Sequence, residues 1–218
     1  MYSLVIFDWD GTLMNSAERI VSCLTKAAIK TELPVLTPMA YQQIIGLGLR
    51  EAIRQLYPDI AEKQVEAMRD NYSHYFVLAE ETPNPLFPGA LHVLETLRTN
   101  SIGTAVATGK SRKGLDRVWA NTGLGVWFDT SRCADETASK PSPLMLEEIL
   151  ADMQVTPEQA LMVGDTSFDL EMAQRIGMDR VGVSYGAHSL EVLADYQPKA
   201  IIHHLSDLLP LVLAKPSC

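Results

Sequence analysis

Four residues into the chain an unbroken apolar run, Leu4-Val5-Ile6-Phe7, leads directly into Asp8-Trp9-Asp10-Gly11-Thr12-Leu13. A run without polar alternation reads as a parallel strand covered on both faces. The period then changes. Over residues 16–81 apolar positions recur at helical spacing, and no stretch reads as a strand. Ala17, Ile20, Val21, Leu24 and Ala28 form one apolar face. Thr37-Pro38 predicts an N-cap followed by proline at the first helical position, with Gly46 suited to end that helix. A short helix is predicted over 49–57, stopped at Pro58, and a longer one over 61–81 with Val65, Met68, Tyr72 and Phe76 facing inward.

Thr82-Pro83-Asn84-Pro85-Leu86-Phe87-Pro88-Gly89 follows, and its prolines make it a stiff connector. Beyond it helical and strand patterns alternate. Helices are predicted over 90–100, 111–121, 143–153, 168–176 and 190–196, with a last one from Ser206. Strands are predicted over 103–107, near Phe128, and over 160–163, 181–183 and 200–203. Such alternation implies an α/β fold, a parallel sheet with helices on both faces. The predicted organisation is an α/β core of residues 1–15 and 84–218, interrupted by an all-helical domain over 16–83. An insertion there sits at the carboxyl edge of the sheet, where open α/β folds bind ligands, so it is a candidate lid.

Composition narrows the partners. A chain of 218 residues, 47% apolar and 21% charged, can bury one α/β core and carry a modest second module. Its net charge of −9 argues against a nucleic-acid surface but not against a small phosphorylated substrate, because local cations can reverse the sign at a site. Cys23, Cys133 and Cys218 are widely spaced and odd in number, which suits reduced thiols in a cytoplasm. No basic-then-apolar leader and no apolar run of spanning length is visible, so a cytoplasmic protein without a membrane partner is expected. No heptad pattern speaks for self-association, and the oligomeric state stays open.

Asp8 and Asp10 place two like charges at a strand end, an arrangement that costs energy unless a cation or fixed donors compensate it. Gly11 lets the backbone turn and approach a ligand. Three later segments also end in polar groups: Thr104-Ala105-Val106-Ala107-Thr108-Gly109-Lys110, Ser139-Lys140-Pro141-Ser142-Pro143, and Leu161-Met162-Val163-Gly164-Asp165-Thr166-Ser167-Phe168-Asp169. Taken singly each has an ordinary explanation. Thr108 caps a helix, Lys140 is a surface lysine, and Asp165 and Asp169 favour a helix dipole. In this order, at strand ends, the joint pattern favours a site. His203 and His204 point to opposite faces of a strand and are read as its ordinary end, and Trp119 and Trp127 as packing residues.

The four segments resemble the four ordered motifs of the haloacid dehalogenase-like hydrolases, a superfamily made up mostly of magnesium-dependent phosphatases. The resemblance implies a Rossmann-like core with a helical cap inserted after the first motif. It makes Asp8 the nucleophile that forms an aspartyl-phosphate, and Asp10 the acid that protonates the leaving alkoxide and then activates water. Thr108 and the backbone around Trp9, Gly11 and Gly109 would bind the phosphoryl group, and Lys140 would pair with its oxygens and hold Asp8. Mg²⁺ would be held by Asp8, the Asp10 carbonyl and Asp165, with Asp169 in an outer position. A carboxylate at Asp10 favours phosphate chemistry over dehalogenation. Many relatives carry Asp-Ser where this chain has Asn15-Ser16, which bears on lid closure rather than catalysis.

Placement of the helical block resembles the branch containing phosphoglycolate phosphatases, β-phosphoglucomutases and phosphonoacetaldehyde hydrolases. Ile45-Gly46-Leu47-Gly48-Leu49-Arg50 and Tyr185-Gly186 look most like phosphoglycolate phosphatases. Either Arg50 binds a substrate carboxylate across the glycine turn, or the turn merely joins two helices and Arg50 is solvated. The expected activity is phosphatase action on a small phosphorylated metabolite, with 2-phosphoglycolate the first to try. A phosphomutase, nucleotidase or pyrophosphatase would use the same core residues, and a non-catalytic binding module is the alternative from another class.

Overall fold

The computed structural model describes residues 2–79 and 84–214. The predicted end of the long helix at Glu81, the connector residues Thr82 and Pro83, and Cys218 lie outside the described residues. The apolar run at the start forms β1 (Leu4–Phe7), all four residues enclosed. β2 (Gly103–Thr108) and β4 (Ala160–Gly164) pair with it in parallel on either side. β3 (Thr130–Cys133) extends the sheet beyond β2, and β5 (Asp179–Val183) and β6 (Ala200–Ile202) extend it beyond β4. The order is β3-β2-β1-β4-β5-β6, every neighbour parallel.

Alternate residues of each strand feed two cores. Val5, Phe7, Leu161 and Val163 pack with Val93, Leu94 and Leu97 of α5 (Ala90–Thr99), Leu115 of α6 (Arg112–Thr122) and Val212 of α10 (Leu208–Leu213). Leu4, Ile6, Ala160 and Met162 pack on the other face with Leu146 and Ile149 of α7 (Leu144–Met153) and Met172 of α8 (Ser167–Arg175). Helices on both faces leave no solvated side to the central strands, which is why their sequences carry no polar alternation. α9 (Leu190–Ala194) lies between β5 and β6 and buries Leu193.

Between β1 and α5 the chain builds α1 (Ala17–Lys30), α2 (Pro38–Gln42), α3 (Leu49–Leu56) and α4 (Glu62–Ala79). These enclose a hydrophobic cluster of their own, with Ile20, Leu24, Tyr41, Ile53, Val65 and Met68 inside it. The outgoing and returning strands of chain meet at the base of the block. Asn15 N donates to Pro85 O at 2.9 Å, Phe87 N donates to Leu13 O at 2.9 Å, and Met14 bridges Leu86.

Three local expectations need correction. α2 stops at Gln42 rather than running to Gly46, because Ile45 N and Leu47 N donate to carbonyls three residues back and tighten the chain into separate turns. The strand expected near Phe128 forms two residues later, as β3 (Thr130–Cys133). Residues 124–127 make a single 3-10 turn, Thr104 Oγ1 donates to the Trp127 carbonyl, and Phe128 stacks on Trp119 before β3 begins. The last helix starts at Leu208, after a 3-10 turn over Leu205–Asp207.

Because the helical block has its own core, Leu24→Ala is expected to lower its stability by about 2–5 kcal/mol, the usual cost of a buried leucine truncation. Urea unfolding followed by fluorescence and far-UV dichroism checks this. A loss under about 0.5 kcal/mol would show that the cluster carries little of the block's stability.

Candidate active site

In this strand order the connections leave β1 and β4 in opposite directions, opening a crevice at the carboxyl ends of the central strands. Asp8 leaves β1 with its amide still donating to Val163 O at 2.9 Å. The next residues close a tight loop in which Leu13 N and Met14 N both donate to Trp9 O, and Gly11 N donates to Met14 O. Gly11 has φ +91°, and a Cβ there would lie 2.2 Å from Asp165 Oδ2, so both backbone and space require glycine. Gly186 is held to the same residue, since a Cβ on it would lie 2.1 Å from the Asp165 Cβ. Thr108 is the buried last residue of β2, Lys140 precedes α7, and Asp165 follows β4.

Asp8, Asp165 and Asp169 are all buried, and one carboxylate oxygen of each lies within 4.8 Å of the others. Lys140, equally buried, donates to Asp8 Oδ1 at 2.5 Å and to Asp169 Oδ1 at 2.6 Å. Asp169 Oδ2 accepts from Thr166 N and from Thr166 Oγ1, so both its oxygens are engaged. Asp165 Oδ1 accepts from Thr12 Oγ1 at 2.9 Å and Oδ2 from Ala187 N at 2.7 Å. Asp8 Oδ2 is buried without a hydrogen-bond partner. Three carboxylates therefore face one ammonium.

Burial pushes Asp8 well above the usual carboxylate range, with Asp169 and Asp165 adding to the rise and Lys140 opposing it. Asp165 is pushed up to about 7, again by burial and then by Asp169. Burial works against the charged form of Lys140, but the Asp169 and Asp8 carboxylates outweigh it and raise the ammonium above its ordinary value. Hard oxygen donors, a surplus of negative charge and an orphaned carboxylate oxygen fit a divalent cation such as Mg²⁺.

Asp10 stands apart from this cluster. Its Oδ1 accepts from Ser16 Oγ at 2.6 Å, and its Oδ2 pairs with Lys110 Nζ at 2.9 Å. Ser16 is the N-cap residue of α1, but its hydroxyl is turned to Asp10 instead of capping the helix. Asn15, the departure noted in the sequence, is exposed and does not occupy the cap position. The Trp9 indole points away from the crevice and packs edge-on against Trp119 and Phe128, so only its backbone remains available to a ligand.

A cleft of about 850 Å³ opens over Asp8, Asp10 and Thr108, with the helical block as its opposite wall. The Gly46–Gly48 turn does more than join two helices. Gly48 N donates to Ser139 Oγ at 2.8 Å, and a Cβ on Gly109 would lie 2.5 Å from the Leu47 carbonyl oxygen. Arg50 reaches the cleft wall, where its partly exposed guanidinium pairs with Glu62 and Glu66. His188 ties block to core: its Nδ1 accepts from Ser167 N at 3.0 Å, leaving Nε2 to donate to the Gln43 carbonyl at 3.2 Å. Burial lowers the His188 pKa, in keeping with a neutral ring.

The structure thus gathers Asp8, Asp10, Gly11, Thr108, Gly109, Lys140, Asp165 and Asp169 around one crevice. Thr12, Ser16, Lys110 and His188 join them without having been singled out. Thr12 and Lys110 lie within the motif segments themselves, and that adjacency was the available signal.

Residues 5–183 match the family described as haloacid dehalogenase-like hydrolase. A protein of Dickeya dadantii (strain 3937) named "Probable phosphatase IndB" is 32% identical over 212 residues, covering 95% of this chain and 92% of its own. A phosphoglycolate phosphatase of Pectobacterium atrosepticum is 26% identical over 211 residues, covering 94% of this chain and 90% of its own. The crystal structure of a haloacid dehalogenase-like hydrolase from Bacteroides fragilis superposes with a TM-score of 0.88 at 26% identity, covering 95% of this chain and 100% of that one.

The surplus of buried carboxylate predicts a pH signature. Asp165 titrates near 7 when folded and near 3.8 when unfolded, so the folded protein binds the extra proton and its stability falls as pH rises between those values. In metal-free buffer, Asp165→Asn should therefore gain stability relative to the parent protein on going from pH 5 to pH 8. Excess Mg²⁺ at pH 8 should reverse the order by stabilising only the parent. Urea midpoints give the comparison, and a difference independent of pH would refute the assignment of charge.

Proposed function

This chain belongs to the haloacid dehalogenase-like hydrolase family, and from that premise we propose that it is a Mg²⁺-dependent phosphatase of a small phosphomonoester, working through an aspartyl-phosphate. The observation that carries the reading is Asp8: one carboxylate oxygen held by Lys140, the other without a partner, at the end of the central strand beneath a cleft.

Lys140 fixes the Asp8 carboxylate so that an oxygen is presented to phosphorus, which matters because a carboxylate is a weak nucleophile and gains most from alignment. As the Asp8 oxygen bonds to phosphorus, the ester P–O bond breaks. Asp10, carrying a proton taken from solvent, gives it to the departing alkoxide. Thr108 and the backbone amides beside Asp8 and Gly109 bind the phosphoryl oxygens. Asp10, now a carboxylate, takes a proton from the water that attacks the aspartyl-phosphate. The P–O bond to Asp8 breaks, inorganic phosphate leaves, and the proton returns to solvent. The Asp8 and Asp165 carboxylates and the Asp10 carbonyl would hold Mg²⁺, which would supply neutralisation of the charge on the phosphoryl group. Asp169, with both oxygens committed to Lys140 and Thr166, keeps the lysine in place.

Residues 16–83 serve in this reading as a cap domain that shields the reaction from bulk water. Support comes from their separate hydrophobic cluster and from their position as the wall of the cleft. The similarity to a phosphoglycolate phosphatase makes 2-phosphoglycolate the first substrate to test. Arg50 is left out of the substrate contacts because Glu62 and Glu66 hold it.

Phosphate release from a panel of small phosphomonoesters, with Mg²⁺ and with chelator, is the direct test. Turnover should require the metal, and Asp8→Asn should lose at least about 10³-fold in kcat while keeping its far-UV dichroism. Accumulation of an isomerised phosphate ester in place of inorganic phosphate would convert the assignment to a mutase. A folded, metal-supplied protein inactive on the whole panel would remove the phosphatase reading.

A further inference from the structure

Arg50, Arg69, Lys110, Lys113 and Arg117 line the cleft; Arg50 pairs with Glu62 and Glu66, and Arg69 with Glu66 and Asp70, all within the helical block. Lys110 differs, because its partner is Asp10. The two side chains are 11% and 12% exposed and meet at 2.9 Å. While that pair stands, Asp10 Oδ1 accepts from Ser16 and Oδ2 from the Lys110 ammonium, which fills the place beside Oδ2 where a leaving oxygen would stand. Proton transfer from Oδ2 to a leaving alkoxide therefore requires that Lys110 move aside.

Lysine suits such a move, since its charge sits on a flexible four-carbon stem. Its ammonium also lies 4.7 Å from the Phe76 ring centroid, on the α4 wall, a face that favours a cation without competing for a proton. The Lys110 amide donates to Thr108 Oγ1 at 3.2 Å, which anchors the backbone while the side chain reaches into the cleft. An ammonium will leave one carboxylate only for comparable negative charge. A substrate brings such charge into this crevice when it carries an anionic group on the side of the ester that departs with the alcohol.

We propose that Lys110 is the specificity-determining residue of the cleft: it exchanges Asp10 for a second anionic group on the leaving-alcohol side of the substrate, and so frees Asp10 for proton transfer only when a phosphomonoester that carries such a group is bound. This rests on the phosphatase reading above. It places selection on the sheet side of the cleft, one residue after the Thr108-Gly109 turn, rather than on Arg50.

The test compares 2-phosphoglycolate with ethyl phosphate, two-carbon esters that both need a proton on the departing oxygen and differ by one carboxylate. The parent protein should favour 2-phosphoglycolate in kcat/KM. Lys110→Met should shrink that ratio by about 10- to 100-fold, the worth of one charge-assisted hydrogen bond, through kcat as well as KM. Lys110→Arg, which keeps a cation, should retain most of the ratio. Thermal unfolding of both variants, with Lys110→Gln as a second neutral form, guards against loss of fold. Turnover with the same ratio in parent and neutral variants, no preference in the parent, or an equal collapse in Lys110→Arg would each overturn the inference alone. Absence of phosphate release from every ester by the parent protein would instead overturn the phosphatase reading on which it rests.

Discussion

Everything in the crevice depends on an imbalance of buried charge. Asp8, Asp165 and Asp169, all buried, face the single ammonium of Lys140. Ionised groups lose several kcal/mol each on leaving water, and one lysine repays only part of that for three carboxylates. A fold that optimised stability alone would not assemble such a group. The cost makes sense if the missing positive charge arrives from outside as a divalent cation, which would then join the ammonium in holding a phosphoryl group. The parallel sheet makes the arrangement affordable in geometry, because adjacent strand ends place residues 8 and 165 within reach while the rest of each strand is locked into two apolar cores.

Rigidity around that group is set by what cannot be enlarged. Gly11 and Gly186 both close on the Asp165 side chain, leaving no room for a methyl group on either. Thr12 and the Ala187 amide then fix the two oxygens. Asp165 is thereby held in one orientation before any ligand binds, which is the preorganisation that electrostatic catalysis needs. Tyr185, beside Gly186, donates to the Thr12 carbonyl at 3.0 Å, so the loop after β5 braces the loop after β1. The likeness noted for Tyr185-Gly186 thus has a structural content in the core.

How much of this was legible in the chain follows from where the information resides. The strand ends were legible because a doubly covered strand has no polar alternation, so the first carboxylate after Phe7 or Gly164 stands out. The order of polar strand ends then gave Thr108, Lys140 and Asp165. Contacts made by chain segments far apart in sequence were not legible. Nothing local tells that Lys110 would reach Asp10, that Ser16 would forgo capping α1, or that His188 would meet Gln43. Trp9 was expected to bind a phosphate through its backbone, and its indole answers to Trp119 and Phe128. The strand expected near Phe128 starts two residues later, at Thr130, and Phe128 itself stacks on Trp119.

Asp10 is the point where the helical block and the sheet meet chemically. One of its donors, Ser16, sits at the start of α1, directly after the paired segments at Met14 and Leu86 through which the chain enters and leaves the block. The other, Lys110, lies against Phe76 on α4. The nucleophile has no such ties, since Lys140 and the central strand hold Asp8 from the core side alone. Any displacement of the block relative to the sheet would therefore alter the hydrogen bonding of Asp10 while leaving Asp8 in place. On the proposed mechanism, attack and proton delivery would thus be anchored to different parts of the molecule, and Asp10 would be the half whose surroundings respond to the position of the block.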